Sequence, residues 1–243
     1  MPEGPSIVIL KEALAPFRGK KVTEVSGNSS LDIARIKGKK VIDFKSWGKH
    51  FLICFEGFTV RIHFLLFGTY RINERKAMTP RLQLQFKNGE VNFYTSSIRF
   101  IETPLDEVYD WSADVMSPDY DPRKALAKLR RKPDTLVCDA LLDQDIFAGV
   151  GNIIKNEVLF RIRVHPRSLV GKLPLKQRKL LVQEAVRYSF DFLEWKKAFV
   201  LKKHWLIHTK KTCPRCQIPA VKEYMGVTKR RTFFCGNCQV EYQ

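Results

Sequence analysis

DQDIFAGVGNIIKNEVLFRIRVHP, residues 143–166, decides how the rest of the chain is read. Within it, Gly149, Val150, Gly151 and Asn152 make a tight turn, poor in side chains, directly before a helical pattern. The free N–H groups and the dipole of a helix N-terminus form a ready anion site there. Asn152 is placed to cap that helix or to donate its side-chain amide to a phosphate, and Lys155, one turn on, adds charge. The residues alone leave the cap and the phosphate contact both open. Periodicity around the stretch is helical: helices are expected over 135–142, 152–161 and 176–196, with one more opened by Pro122 and capped by Asp121.

Toward the N-terminus the pattern changes. Residues 6–17 (SIVILKEALAPF) carry apolar residues at helical spacing behind Pro5, a residue tolerated in a first helical turn. From there to about residue 103 run short β-rich segments, KVTEV, KVIDFKS, HFLICF, FTVRIHF, TYRIN, RLQLQF and EVNFYT, separated by WGK, EG and NG turns. That is the pattern of a β-sandwich or barrel. An acidic, Pro-containing stretch, residues 103–122, then leads into the helices.

Toward the C-terminus, CPRC (Cys213, Cys216) and CGNC (Cys235, Cys238) stand eighteen residues apart. Two CxxC knuckles at that spacing suit a zinc ribbon or finger, with four thiolates closing a structural site around one Zn²⁺. Two disulfides are the competing reading, and it conflicts with the missing signal peptide. Cys54 and Cys138 lie in apolar runs and read as buried small hydrophobes. His204 and His208 precede the first knuckle, but four cysteines already complete a site.

Composition sets the class of partner. The chain has 43 Lys and Arg against 25 Asp and Glu, a net charge of +18, and 44% hydrophobic residues. Such a field attracts polyanions, and its basic residues are spread through the whole chain, so the charge belongs to folded surfaces facing nucleic acid. With no run of eighteen apolar residues and no leader pattern, a cytoplasmic, nucleoid-associated protein is expected.

The chain opens MPEGP. If Met1 is removed, Pro2 presents a secondary amine with an ordinary pKa near about 8, a potential nucleophile. Taken alone, a small residue behind Met1 carries no chemistry.

Four separated motifs, PEGP, WGKHF, FAGVGNIIKNEVLFRIRVHP and the finger with KRRTFFCGNCQ, resemble in that order the formamidopyrimidine-DNA glycosylase and endonuclease VIII family, and PEGP is closer to its endonuclease VIII branch. The resemblance implies an α+β multidomain fold: an N-terminal catalytic β-sandwich domain with flanking helices (1–118), a helix-two-turn-helix DNA-binding domain (119–205) and a four-cysteine zinc finger (206–243), with DNA in the cleft between the halves. It implies a monomeric, bifunctional DNA glycosylase and abasic-site lyase of base excision repair, acting on double-stranded DNA with an oxidised base or abasic site.

In that reading Pro2 is the nucleophile, Glu3 the proton donor that opens the deoxyribose ring, and Lys49 the β-turn lysine that assists base departure. Arg230, with Arg231 as its near neighbour, is the phosphate-gripping finger arginine of the δ-elimination step. Asn152 and Lys155 contact phosphate. Leu65, Leu66 and Phe67, ahead of Gly68, match the loop that fills the gap left by a flipped base; otherwise they continue a buried strand.

Two departures from the family pattern stand out. Ser6 replaces a usual glutamate, and in the loop YTSSIRFIE Ile98 takes the place of one of two arginines, leaving Arg99 and Phe100. The interval 188–213 is short and lacks glycine, which leaves little chain for the lid that closes on an oxidised purine, so oxidised pyrimidines are the expected lesions. A non-catalytic DNA-binding relative of the same fold is the alternative. A zinc-ribbon RNA-binding factor would need stacking aromatics in an RNP-like strand, which the chain lacks.

Overall fold

The computed structural model describes residues 2–243 and divides the chain into two compact units, Met1–Tyr109 and Asp110–Gln243. In the first, α1 (Gly4–Ala13) starts two residues earlier than periodicity suggests, with Pro5 in its first turn and the backbone of Glu3 extended at the N-cap. Six strands follow: β1 (Val22–Ser26), β2 (Asp43–Trp47), β3 (His50–Phe55), β4 (Phe58–Ile72), β5 (Leu82–Phe86) and β6 (Gly89–Ile101). They pair antiparallel in the order β1-β5-β6-β4-β3-β2.

Two strands are longer than the sequence pattern indicates. FTVRIHF and TYRIN join into the single strand β4, and YTSSIRFIE is not a loop, because Thr95 to Ile101 continue β6. The two strands pair along two stretches, Thr59–Phe64 against Ser96–Ile101 and Thr69–Ile72 against Val91–Tyr94, with a register break between. Four residues, 65–68, therefore oppose the single Thr95, a bulge that bends the sheet and lets one strand serve two layers. Gly68 is required at that bend: a Cβ there would stand 2.8 Å from both the Cβ of Phe64 and the carbonyl oxygen of Thr95. Ile7, Leu10 and Leu14 of α1 enter one core with Phe44, Phe51, Ile62, Leu84 and Phe93. Ile98 is buried in this core, so the position where the family pattern has an arginine is used for packing.

The second unit contains α3 (Pro122–Arg130), α4 (Val137–Ala140), α5 (Asn152–Arg161), α6 (Leu175–Lys197) and a hairpin of β7 (Val221–Met225) and β8 (Arg230–Phe234); a short α2 (Leu105–Val108) belongs to the end of the first unit. Asp121 caps α3 as its sequence indicates, accepting from the N–H groups of Arg123 and Lys124. The helix expected over 135–142 shrinks to the four residues of α4, which are tied at one side by a bond from the Val137 N–H to the Ser168 carbonyl. Ile154, Val158 and Leu159 of α5 pack with Leu181, Ala185 and Tyr188 of α6, and Met225 and Phe234 bring the hairpin into the same core. None of the described helices is long and apolar enough to cross a membrane.

Candidate nucleic-acid interface

In the first unit, Pro2 is half-buried and Glu3 is 1% exposed, so a carboxylate sits inside the fold directly behind the chain's first proline. Lys49 lies in the two-residue turn between β2 and β3, where Trp47 pairs with His50. Around that turn the sheet assembles groups that the sequence reading did not single out. His50 is directly opposite His63, and Arg61 directly opposite Arg99, all on one face of the strands. Trp47, His50 and Tyr109 pack ring to ring, and the Tyr109 hydroxyl meets His50 Nδ1 at 3.2 Å.

Burial, with Arg61, His63, Lys49 and Arg99 adding repulsion, pushes His50 down to about 3. His63 is lowered by burial and by the charges of Lys49 and Arg61. Neutral imidazoles thus flank a cationic patch at neutral pH. A period-two signal existed in the sequence: in FTVRIHF, Arg61 and His63 alternate with the core residues Val60, Ile62 and Phe64.

Leu65, Leu66 and Phe67 form the outer side of the β4 bulge and are 47%, 55% and 78% exposed. They lie within β4 but are not buried. Their backbone is anchored on both sides by the paired segments, so three apolar side chains are held out to solvent. Ser6 lies partly buried on α1.

In the second unit, α5 links the Gly-rich turn to the finger. Asn152 is not the cap: Gly151 takes the N-cap position in extended conformation, and Asn152 is the first helical residue. Its amide nitrogen instead donates to the Arg231 carbonyl at 2.7 Å, while its Oδ1 is buried and has no hydrogen-bond partner among the described residues. Lys155 is 1% exposed, and its Nζ donates to Thr232 Oγ1 at 2.7 Å. In this structure the ammonium ties helix to hairpin and does not face solvent. The first turn of α5 thereby holds β8, the strand that presents Arg230 and Arg231, both exposed.

The hairpin turn is held from a third side. Asp139 of α4 accepts the Val227 N–H with both carboxylate oxygens, at 3.2 and 3.1 Å. Gly226, at φ 74°, is the only residue type that fits, because a Cβ would collide with the Asp139 carboxylate. Further along α5, the buried carboxylate of Glu157 accepts the N–H groups of Leu206, Ile207 and His208, fixing the segment that leads into the first knuckle. Arg215 of that knuckle returns to donate to the Phe160 carbonyl at 2.7 Å and the Arg161 carbonyl at 3.3 Å, capping the helix C-terminus.

Cys213, Cys216, Cys235 and Cys238 bring their sulfur atoms within 4.8 Å of one another. All six cysteines are free, and the 3.8 Å between the Cys213 and Cys238 sulfurs is far beyond a disulfide bond. It equals the edge of a tetrahedron with metal–sulfur bonds of about 2.3 Å, so the donor set fits a metal ion such as zinc. His204 stacks on Trp195 at 4.1 Å and His208 meets Asn156 Nδ2 at 2.9 Å, so both imidazoles are engaged elsewhere. Cys138 is buried, its thiol pushed up to about 11 by that burial, and Cys54 is half-buried with its thiol raised for the same reason.

Residues 1–102 match the formamidopyrimidine-DNA glycosylase N-terminal domain and residues 112–195 the formamidopyrimidine-DNA glycosylase H2TH domain. Endonuclease 8-like 3 of Mus musculus is 32% identical over 203 residues, 80% of this chain and 34% of that protein. Endonuclease 8-like 2 of Homo sapiens is 31% identical over 98% of this chain and 75% of that protein. DNA-(apurinic or apyrimidinic site) lyase Nei2 of Mycolicibacterium smegmatis is 30% identical over 71% of each. The chain spans about a third of the length of the Endonuclease 8-like 3 relatives it matches. Two solved structures share its fold: a viral DNA glycosylase (TM-score 0.85, 18% identity, 98% of this chain and 100% of that one) and the Lactococcus lactis formamidopyrimidine-DNA glycosylase bound to DNA containing an abasic site (TM-score 0.86, 20% identity, the same coverage).

Proposed function

The chain belongs to the formamidopyrimidine-DNA glycosylase and endonuclease VIII family, and on that premise we propose that it is a bifunctional DNA glycosylase and abasic-site lyase of base excision repair. The observation that carries the reading is Glu3, 1% exposed and immediately behind Pro2 at the head of α1. A secondary amine with an adjacent buried carboxylate is the pair that imine chemistry on a sugar requires.

Once Met1 is removed, the Pro2 nitrogen attacks C1′ of the damaged nucleoside, and the base departs with the electrons of the C1′–N bond. Glu3 delivers a proton to the ring oxygen as the deoxyribose opens. The resulting iminium is permanently cationic, so it acidifies C2′ without a further proton. Loss of the C2′ proton expels the 3′ phosphate, and a second elimination expels the 5′ phosphate. Lys49, on the turn beside the neutral His50 and His63, serves the departing base or the proton transfers. Arg230 grips phosphate for the second elimination with a planar, bidentate guanidinium.

Leu65, Leu66 and Phe67 are suited to filling the gap that a flipped nucleotide leaves, since the bulge exposes them and pins their backbone. Asn152 and Lys155 support the DNA contact from behind by holding β8, and Asn152 retains an unpartnered Oδ1 there. One Zn²⁺ on the four cysteines would fix the finger structurally, its thiolate shell leaving no open position for chemistry. The chain is proposed to act as a monomer, as a cytoplasmic, nucleoid-associated protein, through three working parts, 1–118, 119–205 and 206–243.

Oxidised pyrimidines are the proposed lesions. α6 runs to Lys197, three residues connect it to the 3₁₀ turn Leu201–His204, and the finger follows, so no long irregular segment is there to close over a purine. Single-turnover assays on matched duplexes test the reading: thymine glycol or 5-hydroxyuracil should be excised faster than 8-oxoguanine paired with cytosine, leaving phosphate at both ends of the gap. Faster release of 8-oxoguanine would overturn the lesion choice. Tight DNA binding with no excision of any lesion would leave a non-catalytic relative.

A further inference from the structure

Helix α6 ends at Ala198 as its C-cap, and the next residue, Phe199, has φ 60°. The Phe199 N–H donates to the Lys196 carbonyl at 3.1 Å and the Val200 N–H to the Trp195 carbonyl at 2.9 Å. This paired closure ordinarily places glycine at the left-handed position, because a Cβ is strained there. Phe199 recovers nothing by packing: it is 96% exposed, more than any other large hydrophobic residue described. Neither helix capping nor burial accounts for an aromatic ring at this corner, and strain held in place by its surroundings points to a use.

The surroundings select the ligand. From Trp195 to Lys222 the chain has eight Lys and Arg residues and no Asp or Glu. Lys202 and Lys203 are exposed on the 3₁₀ turn that follows the corner. Trp195 and His204, one on each side in sequence, stack on each other at an interplanar angle of 2°, which braces the corner and leaves the Phe199 ring facing water. Glu194 stands one turn back on α6, but on the side of the corner toward the finger an exposed apolar ring is followed by two exposed ammonium groups, the composition of a platform for unpaired bases, in which stacking and phosphate attraction add.

We infer that Phe199, with Lys202 and Lys203, is an accessory contact for single-stranded nucleic acid: the ring stacks on an unpaired base and the two ammonium groups face adjacent phosphates. None of the residues assigned above to base excision takes part, so the site stands apart from that chemistry.

Phe199→Gly separates the two properties of the residue. It relieves the left-handed strain, so the melting temperature should rise by about 2–4 °C, while affinity for a single-stranded dT oligonucleotide should fall roughly tenfold. Phe199→Trp should keep affinity within about threefold of the original, since stacking survives. An oligonucleotide carrying 5-iodouracil should cross-link to Phe199 on irradiation. Affinity of Phe199→Gly within twofold of the original protein would overturn the contact. So would a Phe199→Gly protein that keeps its dT affinity but loses self-association or binding to phosphatidylserine vesicles.

Discussion

The Lys155 ammonium donates to Thr232 Oγ1 at 2.7 Å, and the same hydroxyl donates onward to the Arg230 carbonyl at 3.0 Å. A helix in the middle of the chain thereby sets the backbone of the finger arginine 75 residues later, together with the bond from Asn152 to the Arg231 carbonyl. Removing one partner of a buried hydrogen bond costs about 1–3 kcal/mol. Thr232→Val should therefore destabilise the second unit by that amount, and Lys155→Met together with Thr232→Val should cost less than the sum of the single changes. Urea unfolding of the four proteins measures the coupling, and strict additivity would show that the two groups do not act as a pair.

Metal binding and the hairpin are expected to be linked in the same way. Arg215 in the first knuckle caps α5, and Cys235 donates its N–H to Gln239, which reaches the Val164 carbonyl. Cys238→Ser, or zinc removal by a chelator, should loosen the finger and weaken DNA binding while the β-sheet unit stays folded. Circular dichroism, zinc stoichiometry and DNA affinity measured on one preparation check this. Metal analysis giving no zinc in the purified protein would contradict it.

Arg230 and Arg231 are exposed neighbours at the start of β8, and salt dependence separates them as candidates for the proposed phosphate contact. Arg230→Ala should lower affinity evenly across DNA sequences and reduce the slope of log K against log salt by about one phosphate contact. An unchanged slope in Arg230→Ala with a reduced one in Arg231→Ala would transfer the contact to Arg231.

Two histidines, His50 half-buried and His208 buried, make stability depend on pH. His50 is held at about 3 and His208 at about 4, both chiefly by burial, against 6.5 when unfolded. Below 6.5 the unfolded chain takes up protons that the folded chain refuses. Their contribution is therefore complete above 6.5 and declines as the pH falls toward the folded values, by at most about 1.4 kcal/mol per pH unit for each group. Melting curves at pH 7 and pH 5 should show a drop that is smaller in His50→Gln. An equal drop in both proteins would remove His50 from the account.

Much of this was legible in the sequence where punctuation is strong. Gly149 to Asn152 places the start of α5 at the residue observed, and the apolar spacing of 176–196 places α6 to within one residue at each end. The four cysteines converge as their spacing implies. Periodicity ended β6 too early because Ser96, Ser97 and Arg99 look polar, although Ser96 and Ile98 alternate inward on the strand. A Gly-Asn turn ahead of a helix leaves Asn152 open as a cap or a phosphate donor; its amide goes instead to a carbonyl 79 residues away. The burial of Lys155 and the Trp47–His50–Tyr109 cluster were invisible for the same reason, since each depends on a partner that only tertiary structure supplies.

The covalent step is the account's central claim, and the most direct measurement is borohydride reduction of the complex with DNA containing an abasic site, followed by mass spectrometry of the trapped peptide. The adduct is expected on the Pro2 nitrogen of the N-terminal peptide, and Pro2→Gly or a retained Met1 should reduce trapping severely. A covalent adduct on a lysine side chain, or undiminished trapping with the N-terminus blocked, would contradict it.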